Sequence, residues 1–223
     1  MKASEAYDKF ILKAEKNGTN DNIATDKARF VELYNEYQIR FLEFTYNNKN
    51  EDDFRDIQSL LVLDTILTKY NKKDGYNSFK LPKDYFDYSS AYALGSKGNC
   101  SNQRIELPIE LKDINRTHFL TDDFTKPSFN YRESVYSIAG GNFNVFHNND
   151  FRIDSVSLSY YRYPKLVQLE NPDNPESAFD DSYDLDFDEK IQNRIITASV
   201  GGLDINLNSD RWQLQNAFAK KDL

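Results

Sequence analysis

Hydrophobic spacing along this chain changes from helical to strand-like and back. In residues 3–16, Tyr7, Phe10, Ile11 and Ala14 fall at i, i+3, i+4 and i+7, the stripe of an amphipathic helix. Asn17-Gly18 supplies a C-terminal stop. After a polar turn over 19–24, Thr25 is the expected N-cap of a second helix, with Asp26 in its first turn. That helix runs to Asn47. Phe30, Tyr34, Tyr37, Phe41 and Phe44 recur along it at steps of four, three, four and three. Val31, Leu33, Ile39 and Leu42 widen the apolar surface beyond one stripe, so the helix is expected to pack on more than one side.

Residues 51–56 read as a further helix start. The second half of 59–68, β-branched and apolar, reads as a strand, and 79–86 as a turn or short helix. Strands are expected at 89–94 and at 104–111, where Pro108 suggests an edge. Strands at 132–139, 142–146 and 151–161 are separated by Gly140-Gly141 and Asn148-Asn149, turns that accept positive φ, and so predict a three-stranded meander. Pro164 ends the last strand, and Asn171-Pro-Asp-Asn-Pro175 makes no regular element. A helix over 187–206 carries Ile191, Ile195, Ala198 and Ile205 on one side, with Ile196, Val200 and Leu203 beside them. Gly201-Gly202 inside it marks a break or a close helix contact. Asn208-Ser209-Asp210 caps a last short helix bearing Trp212, Leu214 and Phe218.

The predicted class is α+β. N-terminal helices and a C-terminal helix form a helical core, with a central antiparallel β-rich insertion and an extended C-terminal arm. The expected parts are 1–60, the first part of the core; 61–165, the β-rich domain; 166–186, an acidic linker; and 187–223, the C-terminal helix and arm.

Charge sharpens this picture. From 171 to 189 there are eight acids and no Lys or Arg, as much as the chain's whole formal net charge of −8. Such acidity offers no footprint for sequence-specific nucleic-acid binding. No segment approaches a membrane span, and the opening residues have no apolar signal-peptide region. The sequons at Asn17, Asn99 and Asn115 are therefore read as chance. Cys100, the single cysteine, allows no intrachain disulfide.

Candidate chemistry is sparse. Asp184-x-Asp186-x-Asp188-Glu189 resembles the start of an EF-hand loop, but the following glycine and distal Glu are missing. The competing reading is a solvated linker whose acids complement the helix start they precede. A metal-dependent hydrolase on Asp184, Asp186 and Asp188 would need further ligands. His118 and His147 have no neighbouring acid or cysteine at ligand spacing, Cys100 has no local base, and Gly140-Gly141 lacks the Lys-Ser/Thr of a phosphate loop. No catalytic residue, metal or cofactor is expected. Trp212, Leu214 and Phe218 read either as part of the chain's own core or as an anchor filling a partner's pocket. A non-catalytic alternative is a secreted or surface module binding carbohydrate or protein through Tyr131, Tyr136, Phe143 and Tyr161.

Two regions carry a resemblance. One is Thr25-Asp-Lys-Ala-Arg-Phe-Val-Glu-Leu-Tyr-Asn-Glu-Tyr-Gln-Ile-Arg-Phe-Leu-Glu43, followed by Asp56-Ile-Gln-Ser-Leu-Leu61. The other is Ser159-Tyr-Tyr-Arg-Tyr-Pro-Lys165, then Tyr183-Asp-Leu-Asp-Phe-Asp-Glu189, which opens a helix ending in Ala198-Ser-Val-Gly201. They resemble the head–tail connector (adaptor or ring) proteins of short-tailed bacteriophages, most of all those of crAss-like phages. The resemblance implies a non-enzymatic virion protein made in the host cytoplasm and placed at the head–tail junction. It implies a homo-oligomeric ring of about twelve copies, bound to the portal protein and to further tail or ring proteins. Residues 204–223 would be the portal-binding arm with Trp212, Leu214 and Phe218 as anchors, while Phe30, Tyr34, Tyr37, Phe41 and Phe44 would pack within the ring. Eight acids repeated around one axis would repel, so a basic surface on a neighbour, or a place far from the axis, is expected.

Overall fold

The computed structural model describes residues 1–16, 26–48, 51–97, 104–111, 126–147, 149 and 151–204. The chain divides into two compact units, Met1–Leu60 with Pro164–Leu223, and Leu61–Tyr163.

The first unit is helical. It contains α1 (Ala3–Lys16), α2 (Lys27–Asn48), α3 (Glu51–Asp56), a 3₁₀ turn (Gln58–Leu60) and α4 (Glu189–Asp204). The small residues Ala3, Ala6 and Ala14 are buried on α1 with Phe10, which lets neighbouring elements approach closely. Phe30 of α2 is fully buried, and its ring lies 5.1–5.8 Å from those of Phe10, Tyr7, Tyr34 and Phe179. The cap of α2 falls one residue later than expected: Asp26 Oδ1 accepts the Arg29 N–H at 2.7 Å. Gly202 marks a close contact rather than a break. A Cβ there would lie 2.9 Å from Tyr37 Cε2 and 3.2 Å from Leu33 Cδ2, so α4 meets α2 at a distance only glycine permits.

The second unit is one eight-stranded sheet of β1 (Leu61–Ile66), β2 (Lys69–Lys73), β3 (Tyr76–Lys80), β4 (Tyr85–Ser96), β5 (Arg104–Leu111), β6 (Ser134–Ala139), β7 (Asn142–Phe146) and β8 (Arg152–Arg162). The order is β1-β8-β4-β5-β6-β7-β3-β2. The two edge strands are consecutive in the chain, joined only by Leu67 and Thr68. The Leu67 N–H donates to Val156 O at 2.9 Å and Thr68 O accepts the Lys80 N–H at 3.2 Å, so one run of chain lies along β8 and then along β3. The sheet therefore curls, and its inner faces share one core that includes Phe79, Leu107, Tyr136, Phe143, Val156 and Leu158. Tyr136 stacks on Phe143 at 4.5 Å, and its ring is tilted against that of Tyr88 at 4.8 Å. Gly140 and Gly141, at φ 58° and 72°, make the tight turn between β6 and β7.

This overturns the expected fold class. The described residues form mostly a large, curled, mixed sheet with four α-helices, not a helical core with an antiparallel insertion. β5 and β6 pair in parallel. The meander is also corrected: β7 pairs with β3, and β8 lies between β1 and β4. β2 does not show in the sequence, because Lys69-Tyr-Asn-Lys-Lys73 is exposed throughout and shows no alternation, and the end of β3 and the start of β4 take up most of the turn or short helix expected at 79–86. The β4–β8 pairing joins residues far apart in sequence, which no local pattern reveals.

Two expectations follow from the core. Gly95→Ala places a Cβ 2.6 Å from Leu107 Cδ1 and 3.4 Å from Phe151 Cδ2. It should lower the stability of the sheet by about 1–3 kcal/mol, read as a lower urea midpoint. Burial raises the phenols of Tyr85 and Tyr136 well above the ordinary value, and burial with the Asp84 carboxylate pushes Tyr160 up to about 12. The folded state thus favours the neutral phenols. Stability is complete below the ordinary value of 10 and is lost as the pH rises towards 12, so tyrosinate absorbance should appear cooperatively with unfolding over that interval.

Candidate functional site

The acidic segment of the helical unit is a packed element, not a free linker. Val167, Leu169, Phe179, Leu185 and Phe187 are buried. Leu169 bridges Phe179, and the Glu170 N–H donates to Ala178 O at 2.9 Å, closing a loop whose turns are held by Asn171 and Asn174. Asn35 clamps the segment to α2: its Nδ2 donates to Val167 O at 2.9 Å while its Oδ1 accepts the Val167 N–H at 2.8 Å. The buried Gln38 donates to Lys165 O at 3.3 Å.

The acids have separate tasks. Asp181 Oδ1 accepts the Ser4 N–H in the first turn of α1 at 3.1 Å, and Asp188 Oδ1 accepts the Ile191 N–H in the first turn of α4 at 2.9 Å. Both are carboxylates at helix starts, where unsatisfied N–H groups and the dipole favour them. Asp186 Oδ2 accepts the Lys165 N–H at 2.6 Å, and Asp184 pairs with Lys2 at 3.3 Å. Glu189 pairs with Lys9 at 2.6 Å, and that ammonium holds its carboxyl below the ordinary range. Lys27 donates to Glu176 O and Ser177 O at 3.3 and 3.0 Å and lies 5.7 Å from the centre of the Phe179 ring. Asp184, Asp186 and Asp188 thus point to three different partners, and among the described residues no three His, Cys, Asp or Glu side chains are placed to hold a metal. Of the eight acids expected to require a basic neighbour, Asp184 and Glu189 meet Lys2 and Lys9 within the same unit.

An open depression of about 290 Å³ lies here, lined by residues that include Ser4, Tyr7, Asp8, Lys27 and Asp181. Burial raises the Tyr7 phenol, with Glu176, Asp26 and Asp8 adding to it. The lining groups do not form a nucleophile with an adjacent base.

The aromatic stripe of α2 divides along its length. Phe30 and Tyr34 are fully buried in their own unit, and burial pushes the Tyr34 phenol far up. Tyr37 is half-buried under the Arg40 guanidinium at 5.3 Å, and Phe41 meets the Phe187 ring edge-on at 5.5 Å. Phe44 is 51% exposed. A seven-residue spacing drifts by about 20° per heptad on a helix of 3.6 residues per turn, too little to expose Phe44 by itself, because Leu33 is turned farther from Phe30 and is buried where Gly202 of α4 abuts it. Phe30, Tyr37 and Phe44 are successive heptad positions, and they go from buried through half-buried to exposed. Leu12 on α1 and Leu166 are also exposed, at 56% and 43%, and were not singled out from the sequence. Leu12 was detectable as a large apolar residue off the α1 stripe.

The remaining candidates scatter. Tyr136 and Phe143 stack inside the sheet core, Tyr161 is half-buried and Tyr131 is exposed, so these four do not form a carbohydrate platform. Trp212, Leu214, Phe218, Cys100 and His118 lie outside the described residues.

Phe30→Ala should cost about 3–5 kcal/mol because it empties the aromatic centre of the helical unit. Phe44→Ala should stay within about 0.5 kcal/mol. Thermal or urea unfolding of the two variants checks the contrast.

No known family model matches the chain, and no curated protein matches it.

Proposed function

We propose that this protein is a structural virion subunit that assembles into a ring of about twelve copies and joins the portal to the tail at the head–tail junction. Support comes first from α2, whose stripe leaves its own core and ends in the exposed Phe44. A closed ring uses a heterologous contact, so each subunit needs two different sticky surfaces. Phe44 on α2 and Leu12 on α1 supply exposed apolar groups on different elements. Support comes also from the resemblance. Its segments on α2 and across 183–201 belong to one unit, and they meet where the Phe41 ring lies edge-on to Phe187 at 5.5 Å.

In this reading the portal protein binds residues 204–223 through Trp212, Leu214 and Phe218, and further tail or ring proteins bind the other side. Within each subunit Lys2 and Lys9 pair with Asp184 and Glu189, which lowers the repulsion of the acidic segment repeated around the axis.

Electron microscopy of the protein coexpressed with the portal protein of the same genome tests the proposal. A ring stacked on the portal, lost on deleting 204–223 and weakened by Phe44→Ser, is the expected result. A protein that stays monomeric and does not associate with the portal would overturn it.

A further inference from the structure

Two turns of the sheet unit meet at one asparagine. Asp74-Gly75 joins β2 to β3, with Gly75 at φ +78°, and Asn149, at φ +58°, lies between β7 and β8. Asn149 Nδ2 donates to Asp74 Oδ1 at 2.5 Å, and its Oδ1 accepts the Gly75 N–H at 3.3 Å. The Asn149 backbone N–H donates to His147 Nδ1 at 3.0 Å, and the His147 backbone N–H donates to Gly75 O at 2.9 Å.

His147 is 3% exposed, with its ring centre 6.2 Å from that of Phe151. Because Nδ1 accepts a hydrogen bond, it carries the lone pair, and the proton of the neutral ring sits on Nε2. Nε2 is itself buried without a hydrogen-bond partner. The charged groups acting on the ring are Lys72 and Lys69 of β2 and Asp74 of the turn.

We propose that His147 is a pH-operated clasp: the neutral ring locks the β2–β3 turn to the β7–β8 connection through Asn149, and protonation at Nδ1 releases it. A proton there would turn the acceptor into a donor facing the Asn149 N–H. It would also create a buried cation near two ammonium groups, with Asp74 opposing only in part. A ring that has swung away from Asn149 escapes both costs. In keeping with this, burial and then the two lysines hold the imidazole below its ordinary value of 6.5 in the closed form. The closed form binds the proton more weakly than the open one. The clasp is therefore at full strength above pH 6.5 and weakens as the pH falls below it. The device does not depend on the ring reading.

Nuclear magnetic resonance on the full chain tests it. Only His118 and His147 titrate as imidazoles, and His147→Asn, whose amide oxygen replaces Nδ1 as acceptor, identifies the His147 signal. In the wild type, protection of the Asn149 and Gly75 amides, corrected for intrinsic exchange, should fall as the pH drops below 6.5. The total fall should reach about tenfold for each unit by which the imidazole lies below its ordinary value. In His147→Asn it should be flat. A His147 signal titrating at or above 6.5, wild-type protection that ignores its titration, or a His147→Asn chain that still follows pH would each overturn the clasp. If that variant does not fold, Asn149→Gly serves, because it removes the side-chain staple at a left-handed position; His147 should then titrate closer to its ordinary value, and no change would count against the clasp.

Discussion

Carboxylates seated at the starts of helices organise the helical unit. A helix begins with several N–H groups that have no partner in the helix itself, and each must find one. Asp26 meets this need for α2 and Asp188 for α4, both from the residue just ahead of the helix or within two positions of it. For α1 the acceptor comes from far along the chain, when Asp181 reaches the Ser4 N–H. That one bond requires the segment after Pro164 to return to the first turn of the chain. The Leu185 N–H, donating to Met1 O at 3.0 Å, adds a second tie at the same place. Burial of Phe179 and Leu185 then follows from where the acids are held. The acidity that looked like solvation in the sequence is a structural connector.

The helices were legible because their signals are local. The α1 stripe, the aromatic repeat of α2 and the apolar side of α4 can each be read within a short window, and the cap of α2 was displaced by only one residue. The hairpin at Gly140-Gly141 was legible for the same reason, since positive φ at both central positions selects glycine. The sheet as a whole was not. β8 is flanked by β1 and β4, and β5 passes from an antiparallel neighbour to a parallel one near Pro108 and Ile109. These choices are made between segments distant in sequence. β2 offers Lys69, Lys72 and Lys73 rather than an apolar alternation, as an edge strand protected from further pairing often does.

The candidate surface was half legible for a related reason. Five aromatics at alternating steps look like one face in the sequence. What packs on the helix changes along its length, so the same repeat that fills the core at Phe30 reaches the surface at Phe44, and the sequence of α2 alone does not show which neighbours cover it. Charge misled in the opposite direction. An unbroken acidic run suggested a detached linker, because the sequence does not show that Lys2, Lys9 and Lys27 fold against it, nor that Val167 and Leu169 are buried beside it.

The register of β1 on β8 fixes where the sheet unit begins and ends. Leu61 pairs directly with Tyr161, so the strand that enters the sheet unit and the strand that leaves it run side by side at its doorway. Their Cα atoms stand about 5 Å apart, the spacing of one strand pair. A hairpin of a few residues spans the same gap. The sheet unit therefore starts and finishes at one place, and a few added residues would close its chain into a loop.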